Sequence, residues 1–385
     1  MIQGSEENQV CARCVMDASV PGLVFDEQGV CNYCKEFLER SGHLLEGDSS
    51  IQQAERERLV ARVKERGRGR AYDCVVGMSG GVDSSWSLVK AVELGLRPLA
   101  VHMDNGWNSE LAQNNIANLV RTLHVDLHTD VIEWNEYRRL MQAFFDADVI
   151  DVELLYDNAM IAVNYQQAAK HGVRYILAGT NEATEGMRMP REWNWLKHDK
   201  RNIRAVARRF GRVKLESFPS IGTAGFIWYE FVRRIRWRSF LDYLDYDKEQ
   251  ALETLQRDYG YKPYPYKHYE SIFTRFYQGY ILLRKFGVDK RRVHLSTLVA
   301  AKQMSRADAL EQLRTPAYGS EQQLESDIRY FIKKMQWSMS DLEAYLDRPA
   351  TPHSAYPSER PVWEALGFLH RRLFGQRDRG PRRVA

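Results

Sequence analysis

With 385 residues, 44% of them hydrophobic and 28% charged, the chain has a globular composition and is long enough for one large domain with additions, or for two. A formal charge of +4 is small for that length, so composition does not demand adhesion to polyanions, and nucleic acid is not expected as a partner. No apolar run is long enough to cross a bilayer and the sequence does not open with a charged-then-apolar leader, so membrane insertion is not expected and a cytoplasmic location is.

The first predicted element is built on cysteine. Cys11-Ala-Arg-Cys14 and Cys31-Asn-Tyr-Cys34 form two matched knuckles, and in a reducing compartment four thiolates suit one tetrahedral, structural Zn²⁺. An iron-sulfur cluster or redox chemistry are the alternatives, but only the metal readings use both pairs. Gly22 to Phe25, Asp26 to Gly29 and Val30 spell a short hairpin that brings the knuckles together. Such a ribbon has too little core to fold without its metal, and residues 1–50 are read as a four-cysteine, zinc-ribbon-like module.

Ile51 to Lys64 has helical periodicity, and Arg66 to Arg70 marks a boundary. Ala71 to Val76 then reads as a buried strand in which Cys74 is an inert thiol, Ser79-Gly80-Gly81 as a turn, and Asp83-Ser84-Ser85 as the opening of a helix. Pro98 to Met103 predicts a second strand, Glu110 to Leu123 a helix, His124 to Ile132 a strand, Leu155 to Lys170 a helix, and Val173 to Ala178 another strand. This alternation predicts an α/β fold, an open parallel sheet of Rossmann-like type covered on both faces. Residues 51–240 form that domain, with a basic and aromatic insertion between Pro190 and Phe240 containing Trp193, Trp195, Trp228 and Trp237. The insertion reads either as a surface for a phosphorylated substrate or nucleic acid, or as solvated basic faces on helices that bury their aromatics. Residues 241–370 read as a mainly helical C-terminal region that completes the active site, and 371–385 as a frayed tail.

The chemistry concentrates after the first strand. Free amides and the positive end of a helix converge there on one polyanion: Ser79, Gly80, Gly81, Val82, Ser84 and Ser85 supply donors, while Asp83 makes sense through a bridging Mg²⁺. No Gly-Lys-Ser/Thr follows, so this is not the Walker pattern. The string resembles the pyrophosphate-binding loop of the PP-loop ATP pyrophosphatase superfamily, which implies that ATP is split between its α and β phosphates. Beyond the other strand ends, Asp104 and Asn105 are candidates for ribose or metal-bound water, and Thr180 and Asn181 for nucleotide or substrate. A plain Asp-Asn-Gly turn and helix capping are their structural alternatives. Glu182 is a candidate for Mg²⁺ or for accepting a proton from an attacking amine. Glu270, at the start of a predicted helix, is a general base or a carboxylate at the positive helix end, and Lys285, Lys290 and Arg291 are candidate clamps for departing pyrophosphate.

Cys11-x-x-Cys14, Cys31-Asn-Tyr-Cys34, Ser79 to Ser84, Thr180-Asn181-Glu182 and Phe286-Gly-x-Asp-Lys-Arg291 together resemble the N-acetyl sugar amidotransferase family of lipopolysaccharide and nonulosonate biosynthesis. The resemblance spans about residues 8 to 315. It implies the synthetase half of a two-protein amidotransferase that turns the acetamido group of a UDP-linked N-acetyl sugar into an acetamidino group; basic or hydroxyl-bearing residues in 188–240, Arg188 among them, are then candidates to hold the substrate diphosphate. Ammonia would come from a separate HisH-like glutaminase, one resembling the histidine-biosynthesis subunit. The rival readings are ATP-dependent tRNA sulfuration by another branch of the superfamily, and a nonenzymatic zinc-ribbon adaptor.

Overall fold

The computed structural model describes residues 9–45, 49–211, 214–264 and 270–374. In chain order its elements are α1 (Asn32–Leu45), α2 (Ser49–Gly67), β1 (Cys74–Met78), α3 (Val82–Glu93), β2 (Pro98–Asp104), α4 (Glu110–Leu123), β3 (Leu127–Val131), α5 (Trp134–Asp146), α6 (Leu154–Lys170), β4 (Tyr175–Ala178) and α7 (Glu182–Glu185). They continue with α8 (Lys200–Val206), α9 (Thr223–Ile227), β5 (Arg236–Ser239), α10 (Lys248–Tyr259), α11 (Ile272–Phe276), α12 (Leu282–Phe286), α13 (Arg291–Ala300), α14 (Arg306–Arg314), α15 (Glu321–Met335), α16 (Met339–Asp347) and α17 (Arg360–Phe374). The expected tail from 375 onward and the Tyr266 to Tyr269 stretch lie outside the described residues.

The five strands form one parallel sheet in the order β3-β2-β1-β4-β5. Strand order reverses between β1 and β4, and that switch point is where an open parallel sheet leaves a crevice beyond its strand ends. Cys-Val-Val-Gly-Met and Pro-Leu-Ala-Val-His-Met-Asp lie almost wholly buried, as strands covered on both faces do. β1 begins and ends later than its sequence pattern suggests. Arg97 clamps Asp73 at 2.7 Å ahead of it, and Gly77 and Met78, beyond the expected strand end at Val76, pair with Val101 and His102. β3 starts only at Leu127 because His124 closes α4 in a left-handed conformation. β5 is the strand that the sequence reading placed inside an insertion. Its Trp237 and Ser239 point inward and its Arg236 and Arg238 outward, so the basic character belongs to one face of a strand. Trp193, Trp195 and Trp237 are buried in the core, whereas Trp228 is 44% exposed.

Two apolar clusters lie on the sheet, and the larger runs without a break from Cys11 to Tyr356. The N-terminal knuckles are tied to helices far along the chain. Arg306 donates to the Cys14 and Cys11 carbonyls at 3.0 and 2.9 Å, Arg292 pairs with Asp17 at 2.7 Å, and Val15 N–H meets Ser296 Oγ at 3.3 Å. Farther on, Trp107, Phe145, Phe273, Phe276 and Trp337 surround Phe331, which joins α15 to the remaining helices. Among the described residues no helix is long and apolar enough to cross a membrane.

Truncating Phe331 to Ala is expected to lower unfolding free energy by about 3–5 kcal/mol, read by denaturant titration. Burial also pushes His198 and His353 down to about 4. Both are neutral in the fold, whereas the unfolded chain takes up protons from about pH 6.5 downward, so their contribution is complete above that pH and declines as pH falls toward 4. Melting curves across that range should show a shallower acid slope for His353→Gln than for the unsubstituted chain.

Candidate active site

A crevice of about 400 Å³ opens at the switch point. Its floor is made by Gly77 and Met78 of β1, Val101 and Met103 of β2, and Ala178 with the following Gly179 and Thr180 after β4; Tyr156, Met160 and Val163 of α6 close one side. Ser79, Gly81, Val82, Asp83 and Ser84 border it directly, so the motif read from sequence and the cavity coincide.

Local geometry suits the turn to an anion. Gly80 has φ +85°, and a Cβ there would lie 3.0 Å from the Ala112 carbonyl oxygen, so both conformation and space require glycine. Tyr261 and Tyr264 donate to the Gly80 carbonyl at 3.0 and 2.9 Å, which fixes that peptide. Ser79 Oγ and Ser84 Oγ lie 3.1 Å apart, the Gly81 N–H donates to Ser79 Oγ at 3.3 Å, and Ser84 Oγ donates to the Gly81 carbonyl at 3.1 Å. No side chain caps α3, whose first amides are therefore left for a ligand. Across the crevice, a Cβ on Gly179 would come within 2.7 Å of Asp83 and Ser84 backbone atoms, so β4 ends against the same helix terminus.

Asp83 accepts a hydrogen bond from Tyr246, whose phenol burial and the carboxylate itself push up, so it stays a donor. Burial likewise pushes up Tyr261 and Tyr264. On β2, beside the end of β1, His102 Nδ1 meets the Met78 carbonyl at 2.8 Å while its Nε2 meets Asn108 Nδ2 at 3.1 Å, which assigns the Nδ1–H tautomer. Glu270 also borders the cavity, with Oε1 4.0 Å from the position of a Cβ on Gly81.

The remaining candidates are distributed unevenly. Thr180 lines the crevice and its Oγ1 lies 3.0 Å from Ser239 Oγ, while Asn181 caps α7 through Thr184 N–H at 2.8 Å, the structural alternative weighed for it. Ser85 is fully buried behind the turn. Asp104 and Asn105 accept from the Gly106 and Trp107 amides at 2.8 and 3.1 Å, the geometry of a plain turn, and neither lines the cavity. Glu182 is buried against Arg40, at 3.1 Å, and Ser41 of α1. It joins the cysteine module to α7, and Glu185 is the residue of that short helix that reaches the crevice. Lys285 donates to the Tyr345 and Arg348 carbonyls and pairs with Asp148 at 3.0 Å; Lys290 pairs with Glu153 and Arg291 with Asp289, each at 2.7 Å. These three cations are engaged with partners outside the cavity lining, and the structure does not bring them to the turn. Arg188 pairs with Glu36 at the surface.

Sequence reasoning missed Glu185, Lys248, Tyr156 and Trp237 in the lining, and the tyrosines that hold the turn. Among the described lining residues three carboxylates, Asp83, Glu185 and Glu270, face one cation, Lys248. Such carboxylates could share a divalent cation with phosphate oxygens.

The second centre is the cysteine cluster. Cys11, Cys14, Cys31 and Cys34 are fully buried and unlinked, and their sulfurs all lie within 4.8 Å of one another. The Cys11–Cys34 and Cys14–Cys31 separations of 3.9 and 3.8 Å match the roughly 3.8 Å edge of a tetrahedron with about 2.3 Å metal–sulfur bonds. Amides of Arg13, Met16 and Cys31 point at the sulfurs at 3.3–3.4 Å, as thiolates require. That spacing suits a single tetrahedral ion. Cys74 is separate, and burial pushes its thiol up, which leaves it an unreactive core residue.

Residues 270–370 match the family described as LPS biosynthesis protein WbpG-like, C-terminal domain, and residues 53–189 match NAD synthase. Similar solved structures include NMN synthetase from Francisella tularensis, 12% identical with TM-score 0.29, and NH3-dependent NAD synthetase from Campylobacter jejuni subsp. jejuni, 16% identical with TM-score 0.27. Each alignment covers 57% of this chain, and 98% and 100% of those chains respectively. No curated protein matches the sequence.

Gly80→Ala should cost at least about 1–2 kcal/mol in the left-handed conformation alone. Calorimetric titration should show it no longer binds inorganic pyrophosphate, whereas Tyr264→Phe, which leaves Tyr261 on the same carbonyl, should retain binding.

Proposed function

We propose, for a chain that joins a lipopolysaccharide-related amidotransferase domain to an ATP pyrophosphatase fold of NAD-synthase type, that it is the synthetase subunit of an ammonia-using N-acetyl sugar amidotransferase. The observation that carries this is the uncapped end of α3 behind a left-handed glycine, set in a crevice at the switch point of the sheet.

The reaction divides into two displacements. The acetamido oxygen of a nucleotide-linked sugar attacks the α-phosphorus of ATP, the α–β phosphoanhydride bond breaks, and pyrophosphate leaves. Activation is needed because an amide oxygen is a poor leaving group. Ammonia then attacks the imidate carbon, its C–N bond forms, AMP departs with the oxygen, and the nitrogen loses a proton. Loop amides and the helix end hold the pyrophosphate half of ATP. The Ser79, Ser84 and Gly81 hydrogen bonds keep those donors aimed before ligand arrives. Glu185 and Glu270 line the crevice, which supports one of them as the acceptor of the proton from the attacking nitrogen. Mg²⁺, when bound with ATP beside Asp83, offsets phosphate charge. Val101, Met103, Met160 and Val163 give the crevice an apolar wall that limits water at the imidate.

Zinc is the ion assigned to the cysteine cluster, as four thiolates closing a tetrahedron favour it and leave no open position for catalysis. All five cysteines are buried. None offers the exposed thiolate that a glutaminase nucleophile or a sulfur relay uses, which favours imported ammonia from a separate glutaminase and weighs against tRNA sulfuration.

An assay with NH4⁺, Mg²⁺-ATP and a panel of UDP-linked acetamido sugars tests the reading. Sugar-dependent AMP and pyrophosphate are expected, with a sugar product whose mass is lowered by the exchange of O for NH; tRNA-dependent AMP release instead would sink it. Metal analysis should return about one zinc per chain, and Cys14→Ser should lose both that zinc and the folded state, since such modules depend on their ion.

A further inference from the structure

We propose that the amino-terminal edge of the sheet, opposite the crevice, is a docking surface for a bilayer rich in anionic phospholipid, made by an arginine cluster beside an exposed apolar turn. This surface takes no part in the reaction proposed above. It accounts for two basic stretches, Arg66 to Arg70 and Arg233-Arg234, that the crevice leaves unused.

The parallel topology gathers the arginines. Arg66 and Arg70 come just ahead of β1, Arg174 directly ahead of β4, and Arg233 and Arg234 ahead of β5. These strands are neighbours in the order β1-β4-β5 and all run the same way, so the segments entering them share one edge. The Arg236 N–H donates to the Arg174 carbonyl at 2.8 Å, Arg233 donates to the Ala169 carbonyl at 3.2 Å, and the Arg70 guanidinium fills the space that a Cβ on Gly172 would take. None of these guanidinium groups forms an ion pair with a described carboxylate. Arg97, by contrast, donates to the Arg70 carbonyl at 2.8 Å and is held by Asp73. Burial and the charges of Arg70, Arg233, Arg234 and Arg66 push the Arg174 guanidinium down from its ordinary range. Like charges drawn together from three segments oppose the fold until an anion from outside the chain offsets them.

The neighbouring turn supplies apolar surface. The π-helical turn Trp228–Val232 continues α9 into Arg233 and Arg234, and it leaves Trp228, Phe231 and Val232 44%, 56% and 65% exposed. Arg233 stands 5.4 Å from the centre of the Trp228 ring, which puts charge and indole on one patch. Such a combination suits the headgroup boundary of a membrane, where rings and alkyl groups enter the acyl region and guanidinium groups meet phosphate. An RNA would pair with the arginines and stack on the rings, but it has nothing to cover Val232. Because the formal charge of the whole chain is only +4, gathering cations at one edge makes the attraction directional. With that edge on the bilayer, the crevice beyond the carboxyl ends of the strands opens toward water.

Co-sedimentation of the full chain in low salt would use vesicles of phosphatidylcholine alone and of equimolar phosphatidylcholine and phosphatidylglycerol, with a single-stranded RNA as the competing polyanion. The wild-type chain is expected to partition onto the anionic vesicles about tenfold or more strongly than onto the neutral ones. Two double variants test the two halves of the surface. One joins Arg66→Gln to Arg234→Asn, since asparagine tolerates the left-handed φ of +55° at that position; the other joins Phe231→Ser to Val232→Ser. Each should weaken partition about tenfold or more with an unchanged melting temperature. A wild-type chain that stays in solution with the anionic vesicles overturns the proposal, as does partition that survives the arginine variant. Partition that needs the arginines but not Phe231 and Val232, and that the RNA abolishes, assigns the edge to nucleic acid and overturns the lipid reading.

Discussion

A single left-handed residue, Gly80, governs how the rest of the molecule is used. By turning the chain back between β1 and α3 it leaves the first amides of α3 without a side-chain cap, and uncapped amides at a helix end suit an anion. The sheet makes those amides accessible, because β4 departs on the opposite side of β1 and opens space beyond both strands. Three phenols contributed from well beyond the sheet's first half hold the turn, two on the Gly80 carbonyl and one on Asp83. Their buried hydroxyls find acceptors only when the turn has this shape, so the turn and the β5–α10 region specify each other.

The cysteine module is joined to the same crevice. Its sulfurs lie in the apolar cluster that also contains residues of β1, β2 and the helices up to Tyr356. Through α1 it reaches Glu182 with Arg40 and Ser41, one turn before the carboxylate of Glu185 in the crevice. Ion binding to such a module is folding free energy. Here the module touches Glu182, at the start of α7.

Local chemistry was legible in the sequence and spatial pairing was not. Six residues around Gly80 announce their conformation, because positive φ and a helix opening are properties of neighbours in the chain. Two cysteine pairs announce a shared ligand for the same reason. By contrast, whether Glu182 or Glu185 faces the crevice depends on the register of a four-residue helix, set by the Asn181 cap and by α1. Lys285, Lys290 and Arg291 sit in a run whose chemistry suits a phosphate clamp, yet each has a carboxylate partner brought by another segment or by the adjacent turn. Lys248 carries no motif at all. β5 was hidden because only two of its four residues face inward and the other two are arginines, a pattern too short to separate from a basic loop.

The guanidinium of Arg306 on the Cys11 and Cys14 carbonyls has a consequence for how the chain is made. At about 5–20 residues per second, the knuckles emerge from the ribosome roughly 15–60 s before the arginine that covers their backbone. During translation the thiols must therefore remain reduced and unpaired, or already hold their ion, in a nascent segment whose lid has not been synthesised.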